Sequence, residues 1–328
     1  MFQNCRLPGF TIVVAALGAV VAAPGIAQTY PVKAVRIIIQ GPPGGQPDLT
    51  ARLVGEPLSQ ELGQPLVFEN RPGALYAPAI NEALRSPADG YTVLTMDATG
   101  WAINPAMGTV SYDFLREFAP VTLLSSTSLM IAAAAPVGIN SMQELIAHAK
   151  AKPGALSYGT SGIGTPHHLS FVAFLAAAGV EARHIPHKGA TEVMASLLRG
   201  DIQIGISSPV TALPHARSGK LKALAVTTRN RMRQAPDVPA VAETPGLADF
   251  DFAGQAAWLV RVGTPRPIID RLSAAFRKVA TPELVNAVME KVPSTELVPS
   301  TPEQLGELIA RDIRKYGEAV KAHKMKPD

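Results

Sequence analysis

A short apolar strand that runs into a glycine-rich turn and then a helix constrains this chain more than any other feature. The run Val35–Ile39 is apolar and β-branched, as a buried strand requires. The turn Gln40–Gln46 holds three glycines and two prolines, and Pro47-Asp48 is typical of a helix start. Such a unit aims backbone N–H groups and the positive end of a helix at one point. We interpret the turn as one half of a binding site for a small carboxylate.

A second strand, turn and helix of the same kind follows later in the chain. Leu156-Ser-Tyr158 predicts a strand, and a helix is expected from about His167 to Ala178. The turn between them, Gly159–Pro166, carries three glycines, and its hydroxyl side chains are Thr160, Ser161 and Thr165. One glycine turn can simply connect a strand to a helix. Two in matched positions favour a shared site, because ligands gather at such loops.

Strands and helices alternate across residues 35–96, which predicts a parallel sheet with helical crossovers. In such sheets, ligands bind outside the carboxyl ends of the strands. Three loops are therefore candidate parts of a site: Gln40–Asp48, Asn70–Ala77 and Asp97–Trp101. Two apolar runs, Val121–Pro136 and Phe252–Val262, would carry the chain into a second domain and back. A chain of 328 residues is long enough for two domains.

The N-terminus has the pattern of an export signal. Arg6 supplies positive charge, Phe10–Ala23 is apolar, and Gly25-Ile-Ala27 offers a small-residue cleavage site. The apolar region has about 14 residues, short of the ~20 that a membrane-spanning helix needs, so cleavage is favoured over an anchor. The only cysteine, Cys5, lies before this region. We expect cleavage near Ala27 and a periplasmic mature protein without thiols that does not span the membrane.

Composition narrows the function classes. The formal charge is +4 and no basic stripe is present, which argues against a nucleic-acid partner. There is no phosphate loop or dinucleotide fingerprint, which argues against an enzyme that depends on one of them. Four histidines cluster at positions 167, 168, 184 and 187, but their spacing matches no zinc motif, and helix-cap or surface roles are favoured over metal binding.

An enzyme alternative rests on Gly159-Thr-Ser-Gly-Ile163, which nearly matches a nucleophile elbow. Ile163 stands where that motif requires glycine. A hydrolase that uses Ser161 with a nearby histidine stays an alternative, while the main prediction is a binding protein that is not an enzyme.

The chain as a whole resembles the Bug-type periplasmic substrate-binding proteins of tripartite tricarboxylate transporters. The motifs that carry the resemblance are spread over the mature chain in the expected order: Tyr30-Pro-Val-Lys, Pro43-Gly-Gly45 with Asp48, Leu62-Gly-Gln-Pro, Glu69-Asn-Arg-Pro-Gly73, Ala88-Asp-Gly-Tyr-Thr, Ile103-Asn-Pro, Asp113 with Phe118-Ala-Pro-Val, Lys152-Pro-Gly, Gly164-Thr with His168-Leu, Lys188-Gly, Ala212-Leu-Pro, Gly219-Lys-Leu-Lys-Ala-Leu-Ala-Val-Thr and Pro236-Asp-Val-Pro.

The resemblance implies a two-lobed Venus-flytrap (type II) α/β fold in which each lobe is a mainly parallel sheet flanked by helices, with two chain crossovers. After a signal peptide at 1–27, lobe 1 would comprise 28–127 and 254–328, and lobe 2 would comprise 128–253. It also implies a monomer that holds a small organic carboxylate in the cleft, without cofactor or metal, and hands it to membrane transporter subunits. A sensor that reports to a membrane kinase is the alternative with the same cleft chemistry.

Three positions depart from the family pattern and bear on the ligand. Tyr76 follows Asn70-Arg-Pro-Gly73 where relatives have glycines, His187 stands where tyrosine usually precedes Lys188-Gly, and Ser207 stands where relatives often carry aspartate. Loss of that aspartate would favour a ligand with a second anionic or neutral polar end over one with an ammonium group; the alternative is that Ser207 only caps a strand. The predicted ligand-binding residues are Gln40, Gly41, Pro43, Gly44, Gly45, Asp48, Tyr76, Asp97, Thr99, Thr160, Ser161, Gly164, Thr165, His168, His187 and Ser207.

Overall fold

The computed structural model describes residues 30–110, 112–163 and 165–322. The predicted signal peptide, Cys5 and the predicted ligand-binding residue Gly164 lie outside the described residues. Among the described helices, none combines the length and the apolar character that crossing a membrane would need.

The strands form two sheets. The six strands of the first sheet are β1 Val35–Ile39, β2 Leu66–Asn70, β3 Thr92–Asp97, β4 Phe118–Thr127, β10 Gly254–Arg261 and β11 Thr295–Leu297, in the spatial order β11-β4-β10-β3-β1-β2. The five strands of the second sheet are β5 Met130–Ala134, β6 Ser157–Thr160, β7 Arg183–Pro186, β8 Ile204–Ser207 and β9 Leu221–Val226, in the order β7-β6-β8-β5-β9.

Helices flank both sheets. Their bounds are α1 Gln46–Leu62, α2 Ala77–Arg85, α3 Asn104–Ala106, α4 Phe114–Glu117, α5 Met142–Ala151, α6 Pro166–Ala178, α7 Ala190–Arg199, α8 Pro209–Arg217, α9 Arg266–Val279, α10 Pro282–Lys291 and α11 Pro302–Ala322. Helix α8 and strand β11 were not predicted from the sequence. The two-lobed α/β architecture was predicted from the sequence.

The expectation that each sheet is mainly parallel needs correction. In the first sheet, β1 pairs in parallel with β2 and β3, whereas β10, β4 and β11 pair antiparallel. In the second sheet, β6 is parallel to β7 and β8, whereas β5 pairs antiparallel with β8 and β9. Each sheet is therefore mixed. The strands nearest the two crossovers, β4, β5 and β10, pair antiparallel because they are not joined to their neighbours by helical crossovers.

The chain passes between the sheets where the long apolar runs predicted it. Strand β4 ends at Thr127 in the first sheet and β5 begins at Met130 in the second, and the chain re-enters the first sheet at Gly254. The division into lobes at residues 127 and 253 stays a prediction.

Strand β1 shows how the sequence pattern places the core. Its side chains alternate between two faces. Ile37 and Ile39 pack in one apolar cluster with Val54 and Leu58 of α1, while Ile38 packs in the other with Ile80 of α2. A strand covered by helices on both faces must be apolar throughout, which explains its continuous hydrophobic run.

Candidate functional site

A cleft of about 460 Å³ lies between the two sheets. The first sheet contributes Gln40, which follows β1, together with Asp97 at the end of β3 and Thr99 just after it. The second sheet contributes residues that follow β6 and β8, among them His167 and Ser208. The loops beyond the carboxyl ends of parallel strands therefore meet in one cavity, as the alternating pattern predicts.

Three helices begin at this cleft. Gln46 and Pro47 at the start of α1, Pro166 at the start of α6, and Ser208, the N-cap residue of α8, all line it. A helix N-terminus carries a partial positive charge and unpaired backbone N–H groups, so three together favour an anion. The α8 terminus was missed from the sequence, although Ser208-Pro209 is a helix-start signal.

Asp97 is held at the floor of the cleft by two hydrogen bonds. The Tyr76 hydroxyl donates to Asp97 Oδ2 at 3.0 Å, and the Thr99 backbone N–H donates to Oδ1 at 2.8 Å. The residue is half-buried and keeps some accessible surface, yet surrounding protein shields its carboxyl group. This desolvation raises the pKa of Asp97, against the opposing effect of the bonds from Tyr76 and Thr99.

The Gln40 side chain beside Asp97 has unused hydrogen-bonding capacity. Gln40 is 2% exposed, and neither its amide nitrogen nor its amide oxygen makes a hydrogen bond to another described residue. The amide lies close enough to Asp97 to lower the pKa of that carboxyl, but not in normal hydrogen-bond geometry. The Thr99 hydroxyl is likewise buried without a partner. Buried polar atoms are nearly always paired, so these atoms indicate a place for a ligand.

The first glycine turn is shaped by Asp48. Gly44 N–H donates to Asp48 Oδ2 at 2.9 Å, and the Arg52 Nε–H donates to Oδ1 at 2.8 Å. Burial acts to raise the pKa of Asp48, but the bonds from Gly44 and Arg52 hold it below the usual value. Gly44 adopts φ 75°, which glycine tolerates best. The cleft lining includes Gln40 but not Gly41, Pro43, Gly44, Gly45 or Asp48. These residues shape the turn without lining the cleft.

The second turn is fixed by its own hydroxyl groups. The Thr165 side chain caps α6 by accepting from His168 N–H at 3.3 Å. Thr160 Oγ1 lies 2.6 Å from His184 Nε2, and Ser161 Oγ lies 3.1 Å from His167 Nδ1. Of this turn, Pro166 and His167 line the cleft, whereas Thr160, Ser161, Thr165 and His168 are not among the lining residues. Ser161 is linked to the cleft lining by its hydrogen bond with His167.

The clustered histidines form a stack. The rings of His168 and His184 lie 4.0 Å apart between centroids, and the Tyr158 ring is 4.9 Å from that of His184. Burial, with a smaller effect of His187, lowers the pKa of His184 to about 4, and burial also lowers the pKa of His167. Within the described ranges, no group of three or more histidine, cysteine or acidic side chains is placed to hold a metal ion.

None of the three departures from the family pattern is among the residues that line the cleft. His187 is turned toward α7, because its Nδ1–H faces Ile185 O at 2.9 Å and its Nε2 lies 3.0 Å from Ser196 Oγ. Ser207 is buried in β8 opposite Met130, and its neighbour Ser208 lines the cleft instead. Tyr76 acts on the cleft floor through its bond to Asp97.

Sequence reasoning also missed a wall of the cleft. This wall consists of two segments. One is residues 291–295, from the end of α10 to the start of β11, and the other is residues 252–256, where the chain re-enters the first sheet. Gln46 Nε2 donates to Thr127 Oγ1 at 2.8 Å and to Thr295 Oγ1 at 3.2 Å, which joins the start of α1 to this wall. Ser128 N–H donates to Ser294 O at 3.1 Å beside the first crossover. No local motif marks this segment.

Two α/β sheets joined by two crossovers around an anion-favouring cleft define a bilobal solute-binding protein. Solved structures agree. The chain is 27% identical to a TctC solute-binding protein from Polaromonas, solved without ligand, with a TM-score of 0.80 over 90% of this chain and 100% of that one. It is 25% identical to Rpa4515 of R. palustris, solved with adipate, with a TM-score of 0.71 over 91% and 100% of the two chains.

Sequence comparison gives the family. Residues 50–325 match the model of the tripartite tricarboxylate transporter family receptor, TctC. Protein BugT of Bordetella pertussis is 30% identical over 306 residues, 92% of each chain. The chain belongs to the TctC family of tripartite tricarboxylate transporter receptors. Members of this family are periplasmic solute-binding receptors and not enzymes, and the resemblance seen in the sequence motifs is confirmed.

Proposed function

We propose that this protein is an exported receptor that captures a small organic carboxylate in the cleft between its lobes and delivers it to the membrane subunits of a tripartite tricarboxylate-type transporter. The observation that carries the proposal is the Gln40 amide. It lies unpaired at the cleft floor, 2% exposed, where three helix N-termini also converge. A carboxylate would accept hydrogen bonds from these helix ends, while the Gln40 amide and the Thr99 hydroxyl offer hydrogen bonds to a second polar group of the ligand.

The energetics suit a transport receptor. A hydrogen bond to a charged group contributes roughly 1.5–3 kcal/mol. A few such bonds, less the cost of ordering ligand and lobes, correspond to micromolar affinity, about 8 kcal/mol. A receptor that must also release its cargo works well in that range.

Ligand that touches both lobes would favour the closed state, because it gains contacts there that the open state lacks. The hinges would lie near Leu124–Met130 and Phe252–Val260. The cleft supports this proposal, since its lining includes Leu129 from the first crossover and Phe252 and Ala253 from the second. The predicted ligand-binding residues of the two glycine turns that do not line the cleft would act by shaping those turns, and Tyr76 would act through its bond to Asp97.

The compartment is part of the proposal. We infer that cleavage near Ala27 releases a monomer that begins at Gln28 into the periplasm. The family match to periplasmic receptors supports this assignment.

A thermal-shift screen of the mature protein against organic acids tests carboxylate binding. A ligand that binds only the folded state raises its apparent stability, by about 2.7 kcal/mol when present at 100 times its Kd. We expect at least one small carboxylate to raise the melting temperature. A response to some other ligand class and to no carboxylate would refute the proposal.

Delivery is tested separately in cells. Removal of the gene should abolish uptake of the acid found in the screen, and re-expression should restore it. Unchanged uptake would contradict the transporter role and leave the binding result intact.

A further inference from the structure

One acidic side chain lies in the cleft of a protein that binds anions. Asp97 is the single carboxylate among the described residues that line the cleft, and the basic side chains there are Lys291 and His167. None of the ion pairs between described residues involves Asp97. A carboxylate without a cationic partner, held at the floor of an anion-favouring cleft, needs a functional reason.

The groups that face Asp97 are neutral. Tyr76 donates a hydrogen bond to it, and burial raises the pKa values of the nearby Tyr112 and Tyr316, with a smaller contribution from the charge of Asp97. Lys291 is exposed on the wall of the cleft, and burial lowers the pKa of His167, which keeps that ring uncharged at neutral pH. Among the described residues, no cationic side chain is therefore placed to neutralise an ionised Asp97.

Unpaired acceptors adjoin this carboxylate. Gln40 Oε1 and Thr99 Oγ1 are buried and make no hydrogen bond to another described residue, and each belongs to a residue that lies next to the carboxyl group of Asp97. An ammonium group has three N–H donors and no acceptor. Asp97, Gln40 and Thr99 together offer it one charged and two neutral acceptors.

We propose that the cleft selects an amino-substituted carboxylate, whose ammonium group binds Asp97, Gln40 and Thr99 while its carboxylate faces the helix N-termini. This inference rests on the proposed function and names the ligand class of the same site. Asp97 would then replace the negative charge that Ser207 lacks, and this proposal is opposite to the sequence expectation of a ligand without an ammonium group.

The remaining walls suit a ligand with an apolar body between its charged ends. Ile103, Leu129, Phe252 and Val292 line the cleft. Lys291 is available at the exposed side for the ligand carboxylate. A second carboxylate against Asp97 would instead meet a like charge, which disfavours binding unless a proton enters with it.

Four six-carbon acids that differ only in their substituents test the proposal: 2-aminohexanoate, 6-aminohexanoate, hexanoate and adipate. Affinities are measured by calorimetry for the wild-type protein, Asp97→Asn and the control Asp249→Asn. The control removes an acid whose side chain is fully exposed and outside the cleft lining.

We expect one of the amino acids to bind the wild type about tenfold or more tightly than both hexanoate and adipate, the difference that one charged hydrogen bond makes. Asp97→Asn should reduce this preference to near unity, whereas Asp249→Asn should keep it. The inference is overturned if the preference survives in Asp97→Asn, or if the carboxylate that binds the wild type most tightly has no amino group.

A second measurement needs no variant. Calorimetry of the wild type in two buffers with different ionisation enthalpies reports the protons taken up on binding. An ammonium ligand placed against Asp97 requires no uptake and releases a proton if Asp97 was neutral beforehand. Uptake of about one proton with the tightest-binding ligand would overturn the inference. Failure of every carboxylate in the thermal screen would instead refute the proposed function itself.

Discussion

Replacement of Gln40 by methionine should change stability and binding in opposite directions. The amide nitrogen and oxygen of Gln40 are buried and make no hydrogen bond to another described residue. A buried polar group left unpaired costs about 1–3 kcal/mol. Gln40→Met keeps the length of the side chain and removes both atoms, so the free energy of unfolding of the unliganded protein should rise by about that amount.

Binding should weaken in the same variant. The amide would contribute a hydrogen bond to a charged ligand group, worth roughly 1.5–3 kcal/mol, so the Kd should rise about 10- to 100-fold. Urea unfolding without ligand gives the first quantity, and calorimetry with the tightest acid from the thermal screen gives the second. Stability gained at the expense of binding is the pattern expected where a site keeps polar groups ready for a ligand.

Thr95→Val is the matched control. The Thr95 hydroxyl is also buried without a partner, but the residue lies within β3 and does not line the cleft. This variant should match or exceed wild-type stability with an unchanged Kd. If Gln40→Met lowers stability, or leaves the Kd within twofold of wild type while Thr95→Val behaves as expected, the assignment of the Gln40 amide to the ligand is wrong.

Two further predictions concern stability. Burial raises the pKa of Asp312 to about 6, against the hydrogen bond that Trp101 Nε1 donates to it. The folded protein therefore holds this proton more tightly than the unfolded chain does. The resulting stabilisation is complete below about pH 4 and is lost as the pH rises through 6. Asp312→Asn should therefore reduce the fall in unfolding free energy between pH 4 and pH 7, by up to about 3 kcal/mol in urea titrations; an unchanged pH dependence would contradict this. Gly55→Ala should lower the free energy of unfolding by about 1–3 kcal/mol, because a Cβ there would lie 2.6 Å from Phe68 Cζ. Gly317→Ala is the opposite case: a Cβ there has nothing within 4 Å, so this variant should stabilise helix α11 by about 0.5–1 kcal/mol. Equal melting temperatures for the two glycine variants would refute the packing argument.

Much of the fold was predicted because its signals are local. Helix α1 ends at Gly63, whose φ of 72° is the left-handed conformation that ends helices, and α7 ends in the same way at Gly200. Ser141 accepts a hydrogen bond from Glu144 N–H at the start of α5, which is the first half of a capping box. The second half of that box differs, since the Glu144 side chain accepts from Asn140 N–H rather than from Ser141.

The elements that were missed have weak local signals. Helix α8 is short and contains Pro214 in its interior, so its periodicity is poor. Strand β11 has three residues, too few for an alternating pattern. The mixed pairing of both sheets was also missed, because strand direction depends on which strands become neighbours and not on their composition.

The sequence by itself determined the strand–turn–helix units, the two crossovers and the family, since each is encoded within a few neighbouring residues or in ordered motifs. The tertiary structure decided which side chains line the cleft. Gln46 meets Thr295 across 249 positions of the chain, and Asp97 stands without a cationic partner because of what packs around it. Burial, hydrogen-bond pairing and charge balance depend on residues that are distant in sequence. Most of the glycine turn Gln40–Gln46 therefore does not line the cleft, whereas Gln40 and Asp97 lie at its floor.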